Sequence, residues 1–296
     1  MNEIEFPHKW VYLDGGSCAW RAVREDPAYD LGLRELETLR KFMPVVASLH
    51  GDHEYNVVHV GPGTGVEARL VISALGPERI PAYGIVDISP ELLDQARETL
   101  AAEYKPLRVL AFHHDVSQSG MSAFVSFLRQ SGTASNLVVL AANGGILADP
   151  ASLRLVVGTM LPGDRLLITL EIYEREREAD ILNQYRLPSI LNLFRRSLYH
   201  FGIPDPRDEE FQFSYDSKRA LIEVFFVPNA ARTTPSLPDR IRVFATYRPT
   251  PAHLREALET HGLQVPLFEQ FEDEHCCGVL CAIPDQERAQ QAQEHQ

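Results

Sequence analysis

Val57-Val58-His59-Val60-Gly61-Pro62-Gly63-Thr64-Gly65 is an apolar run that leads into a glycine-rich turn, and the helical pattern of Val66–Leu75 follows at once. Glycine suits such a turn because the chain reverses sharply and a ligand must come close to the backbone. The next apolar run, Ala82–Ile88, contains Tyr83-Gly84-Ile85-Val86-Asp87 and so carries an acid at its end, 22 residues beyond Gly65. A carboxylate at that strand end can accept hydrogen bonds from both hydroxyls of a ribose. Glycine turns of this kind occur in several nucleotide folds, and NAD also fits the pair. The dinucleotide fingerprint G-x-G-x-x-G is incomplete, however, because Val66 stands where it requires glycine. No second mononucleotide-binding half follows.

Outward from this stretch, short apolar runs alternate with helical patterns. Asn56–Val60 is read as a strand, as is Ala82–Ile88. Pro90–Glu103 is a helix with proline in its first turn, where the missing N–H costs nothing. Leu107–His113 is the third strand, Met121–Gln130 a helix, Asn136–Ala141 the fourth strand and Ala151–Met160 a helix. The turn Pro162-Gly163-Asp164 leads into a fifth strand, Arg165–Ile172. Strands separated by helices predict parallel pairing through right-handed crossovers, hence an α/β, Rossmann-like doubly wound sheet. The third strand runs into His113-His114-Asp115-Val116. In class I methyltransferases an acid at this place commonly accepts a hydrogen bond from the adenine amino group. Glycine turn, Asp87 and Asp115 on three successive strand ends form one constellation, which favours S-adenosylmethionine (SAM) over NAD. The cofactor-binding set is then Gly61, Pro62, Gly63, Gly65, Asp87, Ile88, Asp115 and Val116, with Asn143 at the end of the fourth strand. Asp115 is equally placed to cap a helix, whereas Ser89 before Pro90 can cap the helix that follows Asp87.

After Tyr173 the pattern changes. Glu174–Asp180 is a dense charge run, and Ile181–Phe201 reads as a helical insertion interrupted or kinked near Pro188. Phe211–Asp216, Leu221–Val227 and Ile241–Tyr247 have strand-like composition, with an exposed loop at Asn229–Asp239. Pro251–Gly262 is a helix with a glycine stop, and Cys276–Ile283 a last strand. Before the sheet, Glu3–Met43 holds aromatics and a helix over about Leu31–Met43, expected to pack across the cofactor side. The expected organisation is an N-terminal helical lid segment (1–50), a SAM-binding domain (51–173) and a substrate-covering insertion (174–240). The end of the sheet (241–284) and a flexible tail (285–296) complete it.

Composition narrows the partners. The chain has 296 residues, 45% of them hydrophobic, enough for a sizeable core. Its 28 lysines and arginines face 41 acidic residues, a formal charge of −13, which repels nucleic acid and anionic membranes as large-surface partners. A small-molecule substrate is the expectation. No run approaches the roughly 18 apolar residues that span a bilayer, and a cytoplasmic location is expected; nothing in the sequence fixes an oligomeric state. Cys276, Cys277 and Cys281 cluster near His275, a possible zinc set, but they run into the apolar stretch Gly278–Ala282. Buried free thiols, with Cys18 elsewhere, are therefore expected, and no metal.

The sequence resembles the histidine Nα-methyltransferases of the ergothioneine pathway, a class I SAM-dependent methyltransferase family. The likeness begins in Pro7-His8-Lys9-Trp10-Val11-Tyr12-Leu13-Asp14-Gly15-Gly16-Ser17, similar to the family's P-x-K-x-x-Y-D-x-x-G-S. It continues through Pro27-Ala28-Tyr29 and Arg34-Glu35-x-x-x-Leu39, and resumes in Leu161–Leu167 and the Leu182–Gly202 insertion. The resemblance implies that Tyr12, Tyr29 and Tyr185 bind substrate, with Tyr29 near the sulfonium; each could also be core, as Trp10 and Trp20 are read to be. Two departures are specific. The family's G-G-T-I-G-N-like turn, whose asparagine holds the substrate, is here Ala141-Ala142-Asn143-Gly144-Gly145-Ile146-Leu147, with isoleucine in its place. The late G-E-x-I-x-x-E-x-S motif is Phe244-Ala245-Thr246-Tyr247-Arg248-Pro249-Thr250, without the acid, which argues against histidine as substrate. Asn143, Tyr173 and Tyr29 are the candidate catalytic residues, polar but uncharged groups suited to orient a neutral amine. The expected activity is a SAM-dependent transferase acting on a small amino acid or amine, most simply an N-methyltransferase. One alternative uses SAM's aminocarboxypropyl arm, by cyclisation to azetidine-2-carboxylate with release of methylthioadenosine or by transfer to another amine. Another is a non-catalytic SAM-binding protein.

Overall fold

Runs of valine, leucine and isoleucine bounded by turn residues become short, deeply buried strands, and the alternation read from the sequence is present. A three-residue strand (β1, Glu3–Glu5) and a helix (α1, Gly16–Glu25) precede the long helix α2, Leu31–His50. Then come β2 Asn56–Val60, α3 Val66–Leu75, β3 Tyr83–Asp87, α4 Pro90–Glu103, β4 Val109–His113, α5 Met121–Arg129, β5 Asn136–Leu140, α6 Pro150–Val157 and β6 Arg165–Glu171. The chain goes on through α7 Glu178–Gln184, α8 Pro188–His200, β7 Phe211–Asp216, β8 Leu221–Phe226, β9 Arg240–Tyr247, α9 Pro251–Thr260, β10 Gln264–Phe271 and β11 Cys276–Ala282. This computed structural model describes residues 3–6, 11–12, 15–118, 120–130, 135–141, 150–229 and 237–284. Asn143 with its turn, Trp10, and the tail from residue 285 lie outside the described residues. Two compact units are formed, Leu33–Ile172 with Pro251–Gln296, and Met1–Gly32 with Tyr173–Thr250.

The larger unit holds a seven-stranded sheet in the order β10-β11-β6-β5-β2-β3-β4. The strands β2 to β6 run parallel, while β11 is antiparallel to both β6 and β10. Every residue of β2, β3 and β5 is buried, as expected of parallel strands covered on both faces. Strand order reverses at β2: the chain moves outward through β3 and β4, then returns across β2 to β5 and β6. Sheets of this kind receive ligands outside the carboxyl ends of the strands at such a reversal. That point is where the Gly61–Gly65 turn and Asp87 stand.

Two elements of this unit differ from expectation. The helix α2 does not stop at Met43 but continues through Pro44 to His50. Leu39, Phe42, Met43 and Val46 are all buried in the core beside the sheet. Burial of the extra turn outweighs the roughly 3 kcal/mol that an interior proline costs. The strand β10 was not anticipated, because Pro266 interrupts its pattern. It lies at the sheet edge, where proline is tolerated, and the pairing with β11 is irregular between Gln264 and Leu267, across that proline.

In the smaller unit β1-β9-β8-β7 form a second sheet. Arg240–Tyr247 was expected toward the end of the main sheet; it pairs instead along β8, with Leu221 opposite Tyr247 and Val224 opposite Phe244. The reason is tertiary packing: its buried Phe244 lies against Phe194 of α8, ring centroids 5.3 Å apart. Of the two options the sequence left for the insertion, interruption is the one found: it is two helices. Leu187, held extended at φ −59°, ψ 140° before Pro188, separates them, and the proline starts α8 in its first turn. The strand β1, too short to read from sequence, lies parallel to β9 with Glu3 opposite Arg240 and Glu5 opposite Arg242, both ion-paired.

At the start of β6, Asp164 is fully buried and ties three segments together. Its carboxylate accepts from Asn136 N at 2.7 Å, from Leu161 N at 2.8 Å and from both terminal nitrogens of Arg129 at the end of α5, one of them at 2.9 Å. Removing one partner of a buried, hydrogen-bonded ion pair costs about 3–5 kcal/mol. Asp164→Ala should therefore lower the unfolding free energy read from urea denaturation by that amount, with Asp164→Asn losing less; a loss under about 1 kcal/mol would contradict this role.

Candidate active site

The strand β2 delivers its chain into a turn closed by Gly65 N donating to Pro62 O at 2.8 Å, while Gly61 N donates to Val86 O of the neighbouring strand at 2.7 Å. Gly65 precedes α3 at φ +87°, and Gly63 sits at φ +54°, both in the left-handed region. A Cβ on Gly63 would meet nothing within 4 Å, so the space beside this backbone is open. That is what close approach of a ligand needs.

Asp87 closes the same end of β3. It is only 8% exposed. Its Oδ1 accepts from Ser89 N at 2.9 Å and its Oδ2 from Gly63 N at a long 3.4 Å. Burial pushes the carboxyl up to about 6, against the N–H groups of Ser89, Gly63 and Ile88 and the charge of His113, which favour the ionised form. Ser89 takes the capping role, its hydroxyl accepting from Leu92 N at 3.3 Å and donating to Glu91 at 2.9 Å. Asp87 is thus not consumed as a cap. A carboxylate directed at an open glycine turn, with the half-buried Ile88 beside it, is a donor and acceptor set that fits the ribose of a nucleoside.

Asp115, half-buried, is engaged locally. Oδ1 accepts from Ser117 N at 3.0 Å and Ser117 Oγ at 2.5 Å, and Oδ2 from Gln118 Nε2 at 3.2 Å. It caps the turn after β4, the role its position also allowed, so any adenine contact would share this carboxylate. Val116 beside it is half-buried.

The expected substrate residues lie in the smaller unit, in two groups. Trp20 packs edge-on against both Tyr12 (centroids 5.8 Å) and the buried Tyr29 (6.3 Å). Separately, the buried Tyr185 accepts from Arg248 Nη2 at 2.9 Å and lies 5.9 Å from the ring of Phe244. Tyr173 stacks on Tyr215 at 3.7 Å and donates its hydroxyl to Glu178. Burial, then that hydrogen bond, pushes its phenol up to about 12, so at neutral pH it is a donor and not a phenolate. Asn143 lies outside the described residues.

Sequence reasoning missed Arg248 and His113. Arg248 is 4% exposed, and its Nη1 donates to Thr246 Oγ1 and to Tyr247 O, both at 2.9 Å. It lies in Phe244–Thr250, which was read only for the acid it lacks; a guanidinium within an apolar strand end was the signal available. Among the described residues, no three His, Cys, Asp or Glu side chains are grouped to hold a metal ion. Cys276, Cys277 and Cys281 are buried strand residues, and burial pushes the Cys277 thiol up to about 12.

Comparisons with known proteins bear on the family and the fold. The sequence model of one family, described as histidine-specific, SAM-dependent methyltransferases, matches residues 2–277. No curated protein matches the sequence. Among solved structures, a SAM-dependent methyltransferase from Clostridium acetobutylicum ATCC 824 is similar with a TM-score of 0.51 at 11% identity, over 90% of this chain and 100% of that one. Magnesium protoporphyrin IX methyltransferase from Synechocystis PCC 6803, with bound S-adenosylhomocysteine (SAH), gives 0.51 at 11% identity over 92% and 96%. Those two structures share the fold: a mostly parallel seven-stranded α/β sheet of the class I methyltransferase type.

A raised carboxyl has a double consequence. Asp87 titrates near 3.8 when unfolded and near 6 when folded, so the stability it contributes is present in acid and lost as pH rises through about 6. Asp87→Asn should then stabilise the ligand-free protein at pH 8 by an amount on the order of 1–3 kcal/mol, read as a higher thermal midpoint. The same substitution should weaken SAM at least tenfold by titration calorimetry. If stability and affinity both fell, or affinity held, the carboxylate would have another task.

Proposed function

This chain belongs to the SAM-dependent, histidine-specific methyltransferase family, and on that premise we propose that it methylates the nitrogen of a small amino acid or amine other than histidine. It is a SAM-dependent transferase of the class I methyltransferase fold. The observation that carries the site reading is the Asp87 carboxylate, buried at the end of β3 and turned to the N–H of Gly63. In this reading Asp87 accepts from the ribose, Gly61, Pro62, Gly63 and Gly65 form the cradle, and Ile88, Asp115 and Val116 flank the adenine, with Asn143 facing the methyl group. When bound, SAM supplies a methyl group on positive sulfur, which an amine lone pair displaces in line with loss of one N–H proton and departure of SAH.

Tyr12, Tyr29 and Tyr185 are assigned to the acceptor, and Tyr173 to its orientation. They are neutral at working pH, so they can aim a nitrogen lone pair without trapping the amine as an ammonium ion. The choice against histidine rests on sequence and on Arg248. Where the family has an acid in its late motif, this chain offers a buried guanidinium bound to the hydroxyls of Tyr185 and Thr246. A cation there disfavours an imidazole or ammonium and suits a neutral or acidic group.

The same loss of the acceptor's acid supports a second reading, in which the aminocarboxypropyl arm of SAM reacts. Mass spectrometry of SAM-derived products, with and without a panel of amino acids and amines that includes histidine, separates the two. SAH formed with a methylated, non-histidine acceptor is the expected result. Methylthioadenosine without any acceptor would establish the arm chemistry, and SAM binding without turnover would indicate a non-catalytic protein.

A further inference from the structure

The last residue of β4, His113, pairs in register with Asp87, the last residue of β3. Asp87 is buried while the His113 side chain is exposed. The imidazole Nε2 stands 2.9 Å from the carbonyl oxygen of Ile88. A carbonyl only accepts, so Nε2 carries the proton, and the ring is fixed by this bond to the residue after Asp87. The backbone bond from His114 N to Asp87 O, 3.0 Å, holds the two strand ends together below it. An exposed side chain that ties down a turn beside a ligand site has little to add to the core, and its task lies with the turn.

We infer that His113 is a positioning residue of the SAM site: it locks the Asp87–Ile88 turn through the Ile88 carbonyl and acts as the charge partner of the Asp87 carboxylate. The inference rests on reading Asp87 as the ribose acceptor. Two contributions are separable. The N–H donor fixes where the Ile88 side chain and the Asp87 carboxylate point. The charge favours ionised Asp87, and only the ionised form accepts from both ribose hydroxyls.

Other ionisable groups near these strand ends are committed elsewhere. Glu91 of α4 accepts from the Ser89 hydroxyl, Asp115 from Ser117 and Gln118, and His114 Nε2 lies against the Gln118 carbonyl at 3.3 Å. His59 of β2 is paired with the Tyr83 hydroxyl at 2.8 Å. The charge of His113, the register partner of Asp87, favours the ionised carboxylate and so works against burial.

Two substitutions in the full-length protein separate the contributions. A glutamine side chain keeps an N–H donor but carries no charge, so His113→Gln should hold SAM affinity at pH 8 within about twofold. It should also move the acid limb of the affinity-versus-pH curve upward by a few tenths of a pH unit or more. His113→Ala removes both, and should weaken SAM by about threefold or more at pH 8 in addition to the shift. Thermal midpoints of both variants within a degree or two of the parent are expected, since the side chain is exposed. If both variants bound SAM with the parent's affinity and pH profile, this role would be overturned while the SAM site stood. If the parent itself failed to bind SAM, the reading of Asp87 would fail first, and Asp87→Asn as a parallel control distinguishes the cases.

Discussion

Burying a carboxylate at the end of β3 is costly, and the geometry around Asp87 is the set of terms that offsets the cost. Burial drives its titration up, to a net value of about 6 once the neighbouring donors have offset part of it. Backbone N–H groups of Gly63, Ile88 and Ser89 favour the charged form, and His113 adds a side-chain charge. Gly63 can contribute only because β2 and β3 are paired neighbours, Val60 opposite Val86, which places the turn after one strand beside the acid that ends the other. Parallel pairing of β2, β3 and β4 is therefore the constraint that makes a site out of three short strand ends. The apolar layer under α2, and the Asp164 clamp at the far ends of β5 and β6, keep those strands in place. A binding site that must tolerate a buried charge is less stable than the same fold without it, a trade common where function asks for preorganisation.

Much of this was legible from residue order alone. Glycines before a helix, and acids at the ends of the next two strands, are local signals whose spacing follows directly from β-α-β connection lengths. The second carboxylate was legible only as two options, and Asp115 does cap its turn. Other features were hidden for identifiable reasons. The strand β10 carries a proline that only an edge position tolerates. The far turn of α2 survives Pro44 because tertiary burial overrides local propensity. The strand β9 has the composition of a main-sheet strand, and its partner is chosen by non-local packing on Phe194 that no window of sequence contains. The contacts of Arg248 and His113 were invisible because they are relational: one lies against a tyrosine 63 residues away, the other against a carbonyl 25 residues away.

The smaller unit holds its own network of aromatic and polar contacts. Its tyrosines are arranged with hydrogen-bonding partners already in place, Tyr185 with Arg248 and Tyr173 with Glu178. Arg248, buried among these residues, also donates to Thr246 Oγ1 and to the Tyr247 carbonyl, so its guanidinium is held by three partners of its own unit. Retention of the glycine turn and Asp87 leaves the demand for SAM unchanged.

Hydrogen–deuterium exchange with and without SAM tests the central claim most directly, because it reads where the ligand sits without presupposing the reaction. The account predicts slowed exchange at the amides of Gly61–Gly65 and of Asp87–Ser89, with no comparable change at the Asp164 clamp. Protection confined to other segments, or none at saturating SAM, would contradict the assignment of the glycine turn and Asp87 as the SAM site.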